Sequence, residues 1–292
     1  MDGEKAFIIE EVKPNIWKYK YQSNNYFVKR AKQIEIAEKV RVIHRQLGYL
    51  EPSLILPVMK SDDEYLIVQD WQEGSHGANF ARKKDRKESL KLLNMLHDTH
   101  KKIAWQRVPG LHTYSQLLKW QMRHMRFKSR RKEFRAFLTK EEIDQILHYS
   151  EKSLQLIAQE DVPEKEITLL HGDVVHHNFL WCSDGELRLI DFDLAHLGEA
   201  DDEYILWLHR VLPAVNYDLG KIFAELPEMK RLDKRKLHRL KYPNELLREW
   251  LFAVDLPLDQ QLVFIDYLVP FTKRALTYWP KLWYDIDKMI KK

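Results

Sequence analysis

The stretch that decides the fold is "LLHGDVVHHNFLWCSDGELRLIDFDLA", residues 169–195. Three histidines, an asparagine and four aspartates are threaded there through apolar residues that read as buried strands. Asp184-Gly185 is among the strongest two-residue hairpin signals. With those two residues as the loop, Leu180 faces Leu189, Cys182 faces Leu187, and Asn178 falls opposite Asp191. Directly opposed residues share a face, with Cβ atoms roughly 4.5–5.5 Å apart. The apolar members turn that face inward. The register therefore predicts an amide and a carboxylate side by side at the mouth of an apolar wedge.

Burying an unpaired carboxylate is costly. A divalent cation offsets that cost. Oxygen ligands of this kind suit Mg²⁺, which takes few protein groups and completes its shell with water and phosphate oxygens. Asp173 lies upstream of Asn178, on the incoming loop. An Asp, an Asn and a second Asp after a short hairpin form the phosphoryl-transfer arrangement of kinases. A lone Asp or Asn on a hairpin is ordinarily a solvated surface group. Here spacing, register and apolar flanks agree on a site.

The motif pair "HGDVVHHN" and "LIDFD" resembles the aminoglycoside phosphotransferase and choline kinase superfamily, whose fold is protein-kinase-like. The resemblance implies that Asp173 is the catalytic aspartate, that His171 supports its loop, and that Asn178 and Asp191 hold Mg²⁺, with Asp193 assisting or capping the next turn. "YFVKR" resembles the third strand of the family's small lobe, which implies that Lys29 pairs with the phosphates of ATP. "YLIVQDWQEG" resembles the strand and hinge that hold adenine, which implies roles for Gln69, Asp70 and Trp71. The helical acid that should pair with Lys29 is Glu35 or Glu38. Glu35 is preferred, because Glu38 falls almost opposite the apolar stripe. "LLNMLHDTH" resembles a structural leucine-rich helix of the family. "WLHRVLPAVNYDLGKIFAEL" faintly resembles bacterial spore-coat-associated kinase-like proteins.

Outward from these motifs, residues 1–73 are strand-rich. Within them Ile36, Val40, Ile43 and Leu47 recur at helical spacing, with Gly48 as the stop. "QEGSHGAN" marks the boundary, and residues 74–292 are mainly helical around the hairpin. The expected class is α+β: a bilobal protein-kinase-like fold with a small antiparallel-sheet N-lobe (1–73) and a larger helical C-lobe (74–292). One departure is plain: "KPNIWKYKYQSNNY" before Lys29 contains no glycine. A turn at Asn24-Asn25 would also set Lys20 opposite Lys29, an unfavourable like-charge pair.

The 292 residues carry a net charge of +4 and one cysteine, Cys182, so an intrachain disulfide and a cysteine zinc cluster are excluded. Cys182 reads as a packed strand residue. His171, His176, His177 and Asp173 could suggest zinc, but adjacent histidines in an extended segment point apart. The basic run from Arg123 to Arg135 reads as the solvated face of a helix, with an anion site as the alternative. Glu199, Asp201, Asp202 and Glu203 are candidate acceptor contacts. Tyr267, Tyr278, Trp279, Trp283 and Tyr284 read as core or as pocket lining. No apolar window is long enough for a signal peptide or a membrane span. The expectation is a cytoplasmic, ATP- and Mg²⁺-dependent kinase of a small hydroxylated molecule, needing no nucleic acid or membrane. The alternative is a weak or inactive kinase-fold binding protein, such as a spore-coat component.

Overall fold

The computed structural model describes residues 7–160 and 166–291. The first six residues of the expected N-lobe lie outside the described residues. Contacts divide the chain into two compact units: residues up to Tyr114 together with Glu166–Ala200, and Ser115–Lys165 together with Asp201–Lys292. The boundary expected after residue 73 thus falls inside the first unit. The reason is pairing: the short strand that follows it is knit into the 179–189 hairpin.

In the first unit, strands β1 (Phe7–Lys13), β2 (Ile16–Tyr21), β3 (Asn24–Arg30) and β4 (Leu66–Asp70) form an antiparallel sheet in that order. The β2–β3 turn is Gln22-Ser23, with Gln22 in the left-handed region at φ 53°. Asn24 and Asn25 therefore stay in β3. Lys20 pairs with Asn25 and Lys29 with Ile16, so the like-charge pair expected from a later turn does not form. Helix α1 (Ile34–Leu50) buries Ala37, Val40, Ile43, His44 and Leu47 along one stripe. Gly48 does not end it. The helix runs on to Leu50, where the Glu51 N–H caps Leu47 O at 2.7 Å.

Strand β5 (His76–Gly77) and helix α2 (Lys83–Asp98) follow. Leu90, Leu93 and Leu96 are buried on α2, as their spacing predicts. Strand β6 (Ile167–Leu170) pairs antiparallel with β9 (His196–Glu199). Between them β7 (Phe179–Trp181) and β8 (Leu187–Leu189) form the hairpin, with β5 added beside β7. The deciding stretch is thus held at both ends and along its middle.

The second unit is helical: α3 (Gln116–Ser129), α4 (Arg131–Phe134), α5 (Lys140–Ala158), α6 (Ala200–Val211), α7 (Leu219–Glu225), α8 (Asn244–Ala253) and α9 (Leu258–Ile290). Thr139 and Glu142 make a reciprocal capping box at the start of α5. Trp120 stacks on Tyr242 at 4.6 Å, and the Trp250 indole N–H donates to Thr272 Oγ1 at 2.9 Å, so buried rings keep polar partners. No helix among the described residues is long and apolar enough to cross a membrane.

Two sequence features resolve into packing in this unit. Asp201 and Glu203 are buried, and Asp202 accepts from Lys236 and Arg239. Asp202 is thus engaged by the unit's own cations, and Asp201 accepts from the Asp233 N–H. The basic run is partly engaged too: Arg123 donates to the neutral Asn244 amide, and Arg130 is paired with the carboxylates of Glu133 and Asp255. Trp279 is core, whereas Tyr267 and Tyr284 are exposed.

Candidate active site

The hairpin loop holds three residues, not two. The Gly185 N–H donates to Cys182 O at 3.0 Å and the Cys182 N–H to Glu186 O at 2.9 Å, with Gly185 at φ 80°. This is the three-residue loop that ends in a left-handed glycine. Asp184 accepts from Arg188 and from the Glu186 N–H, and these bonds hold its carboxyl down at about 2. The extra residue slips the register by one: Phe179 pairs with Leu189, Leu180 with Arg188, and Trp181 with Leu187. A one-residue slip exchanges faces. Asn178 consequently meets Ile190, whose N–H donates to Asn178 O at 3.0 Å, and does not face Asp191.

Asp191 lies beyond the ladder but still borders the cavity that Asn178 borders. It leaves the ladder in the left-handed conformation at φ 66°, a strained choice for a residue with a Cβ. Asn178, Asp191 and Asp193 all border one cavity of ≈ 300 Å³, together with Lys29. The Lys29 Nζ is 2.7 Å from Asp191 Oδ1 and 2.8 Å from Asp193 Oδ2. Burial works against the Lys29 ammonium, but the two aspartates hold its pKa above the ordinary value. Burial pushes the Asp191 carboxyl up too, yet the Lys29 charge and hydrogen bond prevail and keep it below the usual range. Asp193 lies above that range, because burial and the Asp191 charge outweigh its bond to Lys29.

The donor set fits a hard divalent ion. Asp193 Oδ1 is buried and has no hydrogen-bond partner among the described residues. Asn178 Nδ2 donates to Asp173 O at 2.9 Å and to Asp173 Oδ2 at 3.4 Å, which leaves Asn178 Oδ1 as the amide's acceptor. Two carboxylates and one amide oxygen suit Mg²⁺, which keeps much of its shell for water and phosphate. Among the described residues, no group of three or more His, Cys, Asp or Glu side chains could hold a metal ion.

Asp173 is half-buried, on a loop braced from behind. His171 is fully buried. Its Nε2 bonds Ile190 O at 2.8 Å, and the Asp173 N–H lies 3.4 Å from its Nδ1. A carbonyl can only accept, so the proton sits on Nε2 and Nδ1 is the acceptor. Gly172 between them is at φ 82°, and a Cβ there would lie 2.2 Å from Leu194 O. Only glycine fits this crossing of the two loops.

The cavity continues past Gln69, Asp70 and Trp71 at the end of β4, and the glycine-free β1–β2 hairpin borders it through Val12, Lys13 and Ile16. That hairpin is tied down by the Arg30 N–H donating to Asn15 O at 2.9 Å. Trp71 is held by its indole bond to Glu73 at 3.0 Å and by Lys18 Nζ, 4.7 Å from its ring centroid.

Glu35 and Glu38 are exposed on α1, and the ion pairs of Lys29 run to Asp191 and Asp193 instead. The stripe residues Val40 and His44 line the cavity at that level. From α1, Lys39 reaches the motif with a charge: its Nζ donates to Asp193 O at 2.8 Å and Ala195 O at 2.9 Å. Sequence reasoning missed Lys39, Lys13 and His44. His44 follows Ile43 on the same stripe and was the one with a readable signal.

A profile of the phosphotransferase enzyme family matches residues 15–209. Among solved structures, an aminoglycoside phosphotransferase from Alicyclobacillus acidocaldarius is similar at 15% identity and a TM-score of 0.69, over 96% of this chain and 93% of that one. A spectinomycin phosphotransferase solved with ADP and spectinomycin is similar at 15% identity and 0.65, over 94% and 92%. A choline/ethanolamine kinase family protein from Mesorhizobium loti is similar at 12% identity and 0.62, over 99% and 93%. At such identities the likeness is one of fold: α+β, bilobal and kinase-like. No curated protein matches the sequence.

Proposed function

Because the chain belongs to the phosphotransferase enzyme family, we propose that it moves the γ-phosphoryl group of ATP, with Mg²⁺, onto a hydroxyl of a small molecule. One observation carries this reading: Lys29, Asn178, Asp191 and Asp193 converge on a single cavity that also reaches the end of β4. Asp173 would orient the acceptor hydroxyl and take its proton as the new O–P bond forms and the bond to ADP breaks. Asn178 and Asp191, with Asp193, would hold Mg²⁺, which supplies charge neutralisation on the phosphates. Lys29 would bind the same phosphates directly. Gln69, Asp70 and Trp71 would frame the base. His171 would keep the Asp173 loop in place. Most of the rate would come from positioning and fixed charge. A reducing, ATP-rich cytoplasm suits such an enzyme and its free thiol.

The second reading, a weak or inactive kinase-fold binding protein, draws on Lys29 having exposed glutamates, not a partner, on α1. Both readings meet the same test. Purified protein is screened with labelled ATP, Mg²⁺ and a panel of sugars, amino alcohols and hydroxylated antibiotics. The kinase reading expects transfer to one class, with Asp173→Asn lowering turnover about 10³-fold while ATP affinity stays within a few-fold. Unchanged turnover in that variant would refute the role of Asp173. ATP binding without transfer to any acceptor would favour the binding protein.

A further inference from the structure

The cavity holds a buried amide whose orientation is dictated by its surroundings. Gln69 is 7% exposed, lies at the end of β4 and borders the cavity. Its Nε2 donates to Leu56 O at 2.9 Å. The same carbonyl receives His44 Nδ1 at 2.8 Å. A carbonyl offers two lone pairs and no proton. Both contacts must therefore be N–H donations, and flipping the Gln69 amide would set two acceptors against each other. The amide is locked with Oε1 as the end left for a ligand, and no hydrogen bond reaches Oε1 among the described residues.

His44 follows the same logic. With its proton on Nδ1, Nε2 is an acceptor, and it too has no partner among the described residues. The ring is 5% exposed, sits edge-on to Phe192 at 5.3 Å, and borders the cavity. Burial holds its pKa down at about 4, so the ring stays neutral at physiological pH and does not become a donor. This wall thus offers the Gln69 Oε1 acceptor in an orientation that cannot be reversed, with the neutral His44 ring bonded to the same carbonyl beside it.

We propose that Gln69, with His44 beside it, reads the nucleobase of the phosphoryl donor by accepting from its exocyclic amino group, selecting a 6-aminopurine over a 6-oxopurine. This rests on the nucleotide reading of the cavity given above. The second N–H of the Gln69 amide suits the ring acceptor N7, which all purines carry, so it does not discriminate between them. A 6-oxo group would set oxygen against Oε1 with no proton between them. The buried acceptor would then lose water and gain no donor, and sites built around such a bond reject analogues that cannot make it.

The test is calorimetric titration of the full chain in Mg²⁺ with ATP, purine riboside triphosphate, ITP and GTP. The expected order is ATP tightest, with the analogue lacking the amino group weaker by about 3- to 10-fold, and ITP and GTP weaker by at least about 10-fold. Gln69→Met keeps the length and removes the acceptor. It should bring the ATP and GTP constants closer by at least about five-fold. ATP and GTP binding within two-fold of each other would overturn the inference. So would discrimination that persists undiminished in Gln69→Met. Should that variant fail to fold, the analogue series on the unaltered protein decides alone. Absence of binding by every triphosphate would instead remove the nucleotide reading, and the base readout with it.

Discussion

Lys29 spans two carboxylates that are also the candidate metal ligands, so the ammonium and a divalent ion would claim the same oxygens. That sharing has a measurable sign. Lys29→Met should weaken ATP binding in Mg²⁺ by about ten-fold or more, through loss of a charge-assisted phosphate contact. It should also tighten binding of Mg²⁺ alone by several-fold, because the competing cation is gone. Titrations with and without nucleotide check both, and parallel weakening would contradict the shared-ligand geometry. The acid expected on α1 for this lysine was a family analogy. The stripe Ile36, Val40, Ile43 and Leu47 gave the helix its buried face, and glutamates off that stripe had no route inward. Lys39 was unreadable for a different reason. Its partners, Asp193 O and Ala195 O, are backbone carbonyls, which no side-chain pattern announces.

The hairpin shows where local signals stop. The turn at Asp184-Gly185, the apolar flanks and the Asp173/Asn178/Asp191 spacing were legible from residues 169–195. The register was not, because a Ser-Asp-Gly sequence satisfies both a two- and a three-residue loop. The choice follows from Gly185 at φ 80° and from Arg188 and the Glu186 N–H claiming the Asp184 carboxylate. The left-handed Asp191 was equally hidden, since strain is set by what surrounds a residue. The β2–β3 turn repeats the lesson: Gln22, not an asparagine, takes the left-handed position. The tightest crossing of this element is Gly172 beneath Leu194 O. Gly172→Ala should lower unfolding stability by at least about 2 kcal/mol, since neither φ nor space admits a Cβ. Chemical denaturation reads this directly. A midpoint within error of the unaltered protein would contradict the contact.

For the whole molecule, buried neutral histidines set the response to acid. His44 is held at about 4, and His209 at about 3, in each case chiefly by burial. Both lie below the unfolded value near 6.5. Between the folded and unfolded values the unfolded chain binds the extra proton, so stability is full above pH ~6.5 and is lost as pH falls. The limiting slope is about 1.4 kcal/mol per pH unit for each histidine. Glu160, raised mainly by burial, opposes this in part. Denaturation midpoints should hold level from pH 7.5 to about 6.5 and fall steadily from there to pH 5, and His209→Gln should flatten the dependence. A flat profile in the unaltered protein would contradict it. The order of strands first and helices later was legible along the chain. The grouping of residues 166–200 with the sheet was not, because composition reports element type and not distant pairing. That grouping bears on biogenesis. One wall of the cavity, through Phe27, Ile67 and Trp71, leaves the ribosome well ahead of the other, Asn178 to Asp193. At about 5–20 residues per second, the nascent sheet waits on the order of ten seconds for its far wall. Throughout that interval no ligand of the finished cavity can stabilise it, and the apolar side of the sheet waits uncovered.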